Sequence, residues 1–237
     1  MQSIGVGMVG NEYDISTDQY QSIIEYFDSL SYTQLFTSID DPKIIAEGAP
    51  NRYHNQDSKS IKNFLNECIN LDDRLINLIT NNDFQHGENH ACGEMKYSVI
   101  KSDGDLAIPQ DPHCDIDQPY SYQTKNSFPF VVVIGIEQYS FMDIEFNQRG
   151  IIARILIQRG DVLFIRGDIP HRGCENHASH THYRLHAYVE LKKKNTKRNR
   201  KKAVEKQTIK SDSEFPPVPF WNWGDQQWEN RLKRNFV

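Results

Sequence analysis

The stretch Gly160-Asp161-Val162-Leu163-Phe164-Ile165-Arg166-Gly167-Asp168-Ile169-Pro170-His171 sets the fold class. A Gly-Asp turn opens it, a run rich in β-branched and aromatic residues follows, and a second Gly-Asp closes it. The run is too short for a helix and has the length of a buried strand. The same pattern recurs on both sides. Short β-rich runs are predicted over residues 95–101, 130–137, 141–146, 151–157, 161–166 and 182–191, with Gly104, Gly150, Gly160 and Gly167 at the breaks. No helical pattern alternates with these strands, so an antiparallel sandwich or barrel follows rather than a parallel sheet.

Upstream the period changes from 2 to 3.6. Ser16 with Gln19 three residues on forms a capping box, and Tyr20, Ile23, Ile24, Phe27 and Leu30 then recur at the spacing of one helical face. Residues 58–80 predict a second helical stretch with Ile61, Phe64, Leu65 and Cys68 on one stripe, broken near 70–73. The Pro-, Asn- and Gly-rich segment 40–57 reads as loop. Helices first and strands after make an α+β chain whose N-terminal helices buttress a sheet.

Composition sets further bounds. With 237 residues the chain is long enough to bury a sizeable core. The longest apolar run, 128–136, contains Pro129 and falls far short of the roughly 20 residues a membrane-spanning helix needs, so no membrane is expected. Residues 1–11 carry no basic residue before their apolar stretch, unlike a secretory signal. The four cysteines are scattered and form no CxxC pair, which suits a reducing compartment. The expected location is intracellular, cytoplasmic or nuclear. Ten of the 27 Lys and Arg but only one of the 32 acids fall within residues 192–210, so this strip carries +9 and the rest of the chain −14. Such a strip reads as a solvated arm, a nuclear localisation signal or a nucleic-acid contact. Beyond it, Phe215, Phe220, Trp221, Trp223 and Trp228 make residues 215–237 too aromatic for a free tail.

The chemistry-bearing residues are Pro112-His113-Cys114-Asp115 and, well downstream, His171. In an extended segment His113 and Asp115 point to the same side, and a distant His brought alongside completes a two-His-one-carboxylate face. That donor set leaves coordination positions open and suits non-haem Fe(II). On the last predicted strand, alternation puts His182, Arg184, His186 and Tyr188 on one face, where an Arg can bind a carboxylate bidentately. A zinc reading of the histidines between 171 and 186 with Cys174 lacks a matching second ligand pair.

His113-x-Asp115, the Gly160-Asp161 turn with its strand, His171 and Arg184 together resemble the Fe(II)/2-oxoglutarate-dependent dioxygenases, in particular their prolyl-hydroxylase-like and phytanoyl-CoA-hydroxylase-like branches. The resemblance covers about residues 94–191. It implies a double-stranded β-helix, or jelly roll, with His113, Asp115 and His171 as catalytic iron ligands. Arg184, Tyr97 and His186 would be the cosubstrate-binding residues. It implies hydroxylation by dioxygen, with 2-oxoglutarate converted to succinate and CO2 and with ascorbate as a candidate auxiliary reductant. Arg184 lies farther past His171 than the family's basic residue does; the segment 175–181 can absorb the difference, and Arg172 stays open as a competitor.

The expected layout is a helical region over 1–93, the jelly-roll core over 94–191, a basic arm over 192–214 and an aromatic segment over 215–237. The substrate is unknown; the arm tilts the choice toward a protein or nucleic acid. The alternative is a non-catalytic jelly-roll binding or scaffold protein that acts through its arm and tail.

Overall fold

A computed structural model describes residues 6–34, 51–81, 90–104, 109–110, 112–115, 130–146, 151–167, 169–175 and 180–193. The arm beyond residue 193 and the aromatic segment lie outside the described residues. In chain order the elements are β1 (Val6–Val9), α1 (Thr17–Ser29), β2 (Thr33–Gln34), β3 (Arg52–Asn55), α2 (Ser58–Ile69), α3 (Leu71–Asn81), β4 (His90–Ser102), β5 (Phe130–Gly135), β6 (Tyr139–Phe146), β7 (Ile151–Gln158), β8 (Val162–Arg166), β9 (His171–Gly173) and β10 (His182–Lys193).

The strands form two antiparallel sheets. The larger has the order β1-β8-β5-β10-β4-β3-β2, the smaller β7-β6-β9. Alternation assigns each strand of the large sheet two faces. Val131, Val133, Leu163 and Ile165 turn toward the small sheet and pack with its Met142, Ile144 and Ile157. Val132, Ile134, Val162, Phe164, Leu185 and Ala187 turn the other way and pack under the helices. This is the jelly roll with N-terminal buttressing helices that the sequence predicts.

The helices begin and end for local reasons. Ser16 accepts a hydrogen bond from the Gln19 amide while the Gln19 side chain accepts from the Ser16 amide, which closes the capping box. Ile23 and Phe27 of α1 are fully buried, as are Ile61 and Leu65 of α2. Between α2 and α3 the chain turns at Asn70, whose φ of 52° is left-handed. The Asn66 side chain accepts from the Asp72 amide and so starts α3. The predicted break at 70–73 thus narrows to one residue.

Besides the two-residue β2, three strands escape the sequence pattern. Arg52–Asn55, read as loop, pairs with β4. Val6–Val9 forms an edge strand on β8. His171–Gly173 is three residues long and shows no period of its own. Pairing with longer neighbours, not intrinsic propensity, makes all three.

The Gly160-Asp161 turn fixes β7 against β8. Gly160 adopts φ +85°, and a Cβ there would stand 2.1 Å from the Tyr13 carbonyl oxygen. Asp161 accepts from the amides of Gln158 at 2.7 Å and Asn11 at 2.8 Å, which ties the turn to the N-terminal segment. Gly160→Ala is expected to cost about 2 kcal/mol or more, because it combines a strained φ with a backbone clash. Urea unfolding monitored by tryptophan and tyrosine fluorescence checks it.

Candidate metal centre

Strand pairing brings the two halves of the site together. His113 forms an antiparallel bridge with His171, each amide donating to the other's carbonyl at 2.9 Å. Two residues along, the Gln110 amide donates to Gly173 O, and the Gly173 amide donates to the Gln110 side-chain oxygen, both at 2.9 Å. Gln110 and His113 therefore lie beside β9, where a further strand of the small sheet would pair. The His113 and His171 rings stand 4.8 Å apart, and Asp115, leaving the same side of the chain as His113, reaches them.

One ligand atom from each of His113, Asp115 and His171 lies within 4.8 Å of the others. His171 Nε2 is 3.1 Å from Asp115 Oδ2, yet that oxygen makes no hydrogen bond. Donor atoms each about 2.1 Å from one ion and at right angles to it sit about 3.0 Å apart, so the spacing is that of neighbouring ligands. The outer ring nitrogen of His171 supports the same reading. Nδ1 donates to Ile169 O at 2.9 Å, which leaves the Nε2 lone pair facing Asp115. The residues present fit a divalent metal.

Electrostatics define the metal-free state. Burial pulls the pKa of His171 down, but Asp115 overcomes this and holds it above 6.5. Burial pushes Asp115 up, and His171 and His113 more than reverse it, so the carboxylate is depressed. A proton on His171 thus holds the place of a cation beside Asp115.

Arg184 and His186 follow on β10. Residue 186 pairs with Val133 of β5 and residue 184 with Gly135, with Leu185 between them pointing to the helices. Burial and then Arg184 push His186 down to about 3, so its ring is neutral, and its Nε2 is buried without a partner. Arg184 is 3% exposed, and burial lowers it to about 10. Among the described residues no carboxylate pairs with it. Its guanidinium lies over Gly173, where a Cβ would meet Nη2 at 2.5 Å and Gln110 Oε1 at 2.4 Å. Gly173 and Gln110, which the sequence reading passed over, therefore make room for Arg184 and hold the strand that carries His113.

The competing Arg172 points outward. Its Nε donates to Asp143 at 3.0 Å, and Asp143 also takes a two-point bond from Arg154. Tyr97 is a correction. Expected near the cosubstrate, it instead faces the helices, packs among their apolar residues and donates from its hydroxyl to Asp72 at 2.5 Å. Its neighbour Ser98 pairs with His186 in register, so the opposite parity of β4 faces inward.

No protein-family model and no curated protein matches the sequence. Solved structures do match the fold. HygX from Streptomyces hygroscopicus, with nickel and 2-oxoglutarate bound, has a TM-score of 0.52 at 12% identity over 81% of this chain and 84% of that one. The epimerase SnoN, in complex with Fe3+, alpha-ketoglutarate and nogalamycin RO, gives 0.56 at 9% over 81% and 82%. A prolyl-4-hydroxylase of Pseudomonas putida gives 0.54 at 9% over 79% and 92%. The chain has the fold of the iron- and 2-oxoglutarate-dependent enzymes. Among its described residues no helix is long and apolar enough to cross a membrane.

Two outcomes are expected from this geometry. Divalent-metal affinity rises with pH and levels off above the raised pKa of His171, because the metal must displace that proton. Calorimetry in buffers of different ionisation enthalpy measures the proton released. Tyr97→Phe lowers stability by about 1 kcal/mol through its lost bond to Asp72 and leaves metal affinity unchanged; denaturation and metal titration on the same sample separate the two.

Proposed function

We propose that the protein is an Fe(II)- and 2-oxoglutarate-dependent hydroxylase. The observation that carries this reading is Arg184: a buried cation with no carboxylate partner among the described residues, one inward step along β10 from His186 and the His113-Asp115-His171 group. A buried, uncompensated charge is costly and is kept where a ligand supplies the counter-charge.

His113, Asp115 and His171 would hold the iron, and the missing fourth protein ligand keeps positions free. When bound, iron with 2-oxoglutarate and dioxygen supplies oxidative decarboxylation of the acid to succinate and CO2, coupled to hydroxylation of a C–H bond. The chain's own residues position the reactants. Arg184 stands one inward step, about 6.6 Å, along β10 from His186, and its charge reaches His171 of the metal group. The guanidinium receives the distal carboxylate in a two-point bond. His186, neutral, offers its unpartnered Nε2 to the same molecule. Val131, Val133, Ile144 and Leu163 belong to the apolar core between the two sheets, which excludes water from this face of the large sheet.

For the primary substrate we favour a macromolecule, protein or nucleic acid. Its support is the +9 strip over residues 192–210, which follows directly from the core strand carrying Arg184. A strip of that charge gains affinity from an extended anionic partner far more than from a small metabolite.

Anaerobic addition of Fe(II) and then 2-oxoglutarate to the protein is expected to produce the visible charge-transfer band of an oxo-acid chelated to iron. The band is absent in His171→Ala. Failure of wild type to bind iron would overturn the reading. Arg184→Met is expected to weaken 2-oxoglutarate binding about 10- to 100-fold, the worth of a charge-assisted bond. It should also raise the melting temperature of the ligand-free protein, because an uncompensated buried charge is gone. A variant that merely broke the structure would lower it.

A further inference from the structure

Arg184 has a second side. A cavity of about 490 Å³ includes it in its wall, together with His182, Arg52, Ser102, Ser140 and Tyr139, and includes none of His113, Asp115 and His171. Three strands place this cavity and the metal group at different levels of the barrel. On β6 the cavity takes residues 139–141, whereas the residue opposite His171 is Ile144. After β9 it takes Cys174 and Glu175, beyond Gly173. On β10 it takes His182 and Arg184, whereas His186 is the residue whose ring senses Asp115, His171 and His113. Arg184 stands between the cavity and His186.

The cavity opens to solvent. Tyr139 at its mouth is 56% exposed, and Gln138 beside it is exposed as well. Its inner end is cationic. Arg52 is buried there, donating to Ser102 Oγ at 2.9 Å and to the Cys174 carbonyl, and burial and then the charge of Arg184 lower its pKa to about 9. The acids in the wall are engaged elsewhere: Glu137 accepts from the Tyr20 hydroxyl at 2.7 Å, and Glu175 pairs with Arg154 at 3.1 Å. A small anion that reaches the inner end meets the positive charge of Arg52 and Arg184. A five-carbon diacid, the bulk of about four or five waters at roughly 30 Å³ each, fits with room to move. Gly173 leaves no side chain against the guanidinium that would pin it from the small-sheet side.

We propose that this cavity is a rear passage through which the small dicarboxylate reaches Arg184 and the dicarboxylate product leaves. The inference rests on the proposed function. A carboxylate that meets Arg184 from this side is paired as soon as it leaves water, and it need not pass the metal group. The metal end is thereby left to the primary substrate. A bulky substrate seated there would not trap spent cosubstrate, so the two reactants exchange independently.

A passage differs from a binding wall in kinetics. Narrowing a passage slows arrival and departure together and leaves the affinity alone; removing a contact changes affinity through departure. Ser140 is 6% exposed, lines the cavity and shares the parity of the inward-facing Met142 and Ile144, so Ser140→Phe fills the cavity. Gln138→Trp covers its mouth from an exposed position and serves if the first variant does not fold. The full-length protein, loaded with Fe(II) under anaerobic conditions, is mixed with 2-oxoglutarate in a stopped-flow instrument and the chelate band is followed. Ser140→Phe is expected to slow association and dissociation each by about tenfold, and Gln138→Trp by less, with Kd unchanged within about twofold. Unchanged rates in a folded variant would overturn the passage, as would a weaker Kd with unchanged association. Absence of the band in wild type would instead overturn the proposed function, and the passage with it.

Discussion

Everything in the molecule depends on the alternation of β10. This strand lies between β5 and β4 in the large sheet, and both its faces are covered, by different chemistry. Tyr183, Leu185, Ala187 and Val189 seal the sheet against the helices. The intervening His182, Arg184, His186 and Tyr188 stand inside the barrel. The outward row makes the fold stable through apolar burial, which requires no polar partner. The inward row carries groups that each need one. A slip of one residue would exchange the rows, burying charge under the helices and emptying the chamber, so a single register holds both the core and the site.

The metal group depends on a much smaller constraint. Two reciprocal backbone bonds join His113 to His171, and a backbone bond and a bond to the Gln110 side-chain oxygen join Gln110 to Gly173. These four bonds stitch residues distant in sequence into one short ladder. The ligand set is thus placed by main-chain geometry, which tolerates little error, and not by long side chains reaching across a cleft. Gly173 belongs to the same device. It sits two residues after His171, on the inward parity, and its missing side chain leaves the volume that the guanidinium of Arg184 fills.

How much of this could be read from the sequence follows from what period 2 can and cannot say. Alternation divides a strand into two faces without saying which one is inside. On β10 the two faces differ so sharply in polarity that the assignment is legible, and Arg172, next to His171, falls by the same parity on the outer side with Asp143. On β4 Tyr97 and Ser98 are both plausible inward residues. Only the pairing of Ser98 with His186 decides, and it sends Tyr97 to the helices. The short strands β3 and β9 could not be seen because their conformation comes from their neighbours. The capping box at Ser16 and the break near Asn70 were visible because they are local chemistry within four residues. Gly173 and Gln110 gave no signal, since their role exists only once residues far apart in the chain are adjacent.

The charges inside the barrel explain why so few residues suffice. In the metal-free protein the His171 proton offsets the anionic Asp115, and the cationic Arg184 has no carboxylate partner among the described residues. On the proposed function, iron displaces that proton and adds two positive charges, the diacid adds two negative ones, and the loaded site is near neutrality. Either partner alone leaves unbalanced charge between the sheets, where charge is poorly screened. The two ligands are therefore coupled: each lowers the cost of the other, and by reciprocity the coupling is the same from either side. Arg184 bears the cost of waiting, since it stays buried and unpaired until the diacid arrives. The apolar rows on both faces of the large sheet supply the stability against which that cost is held.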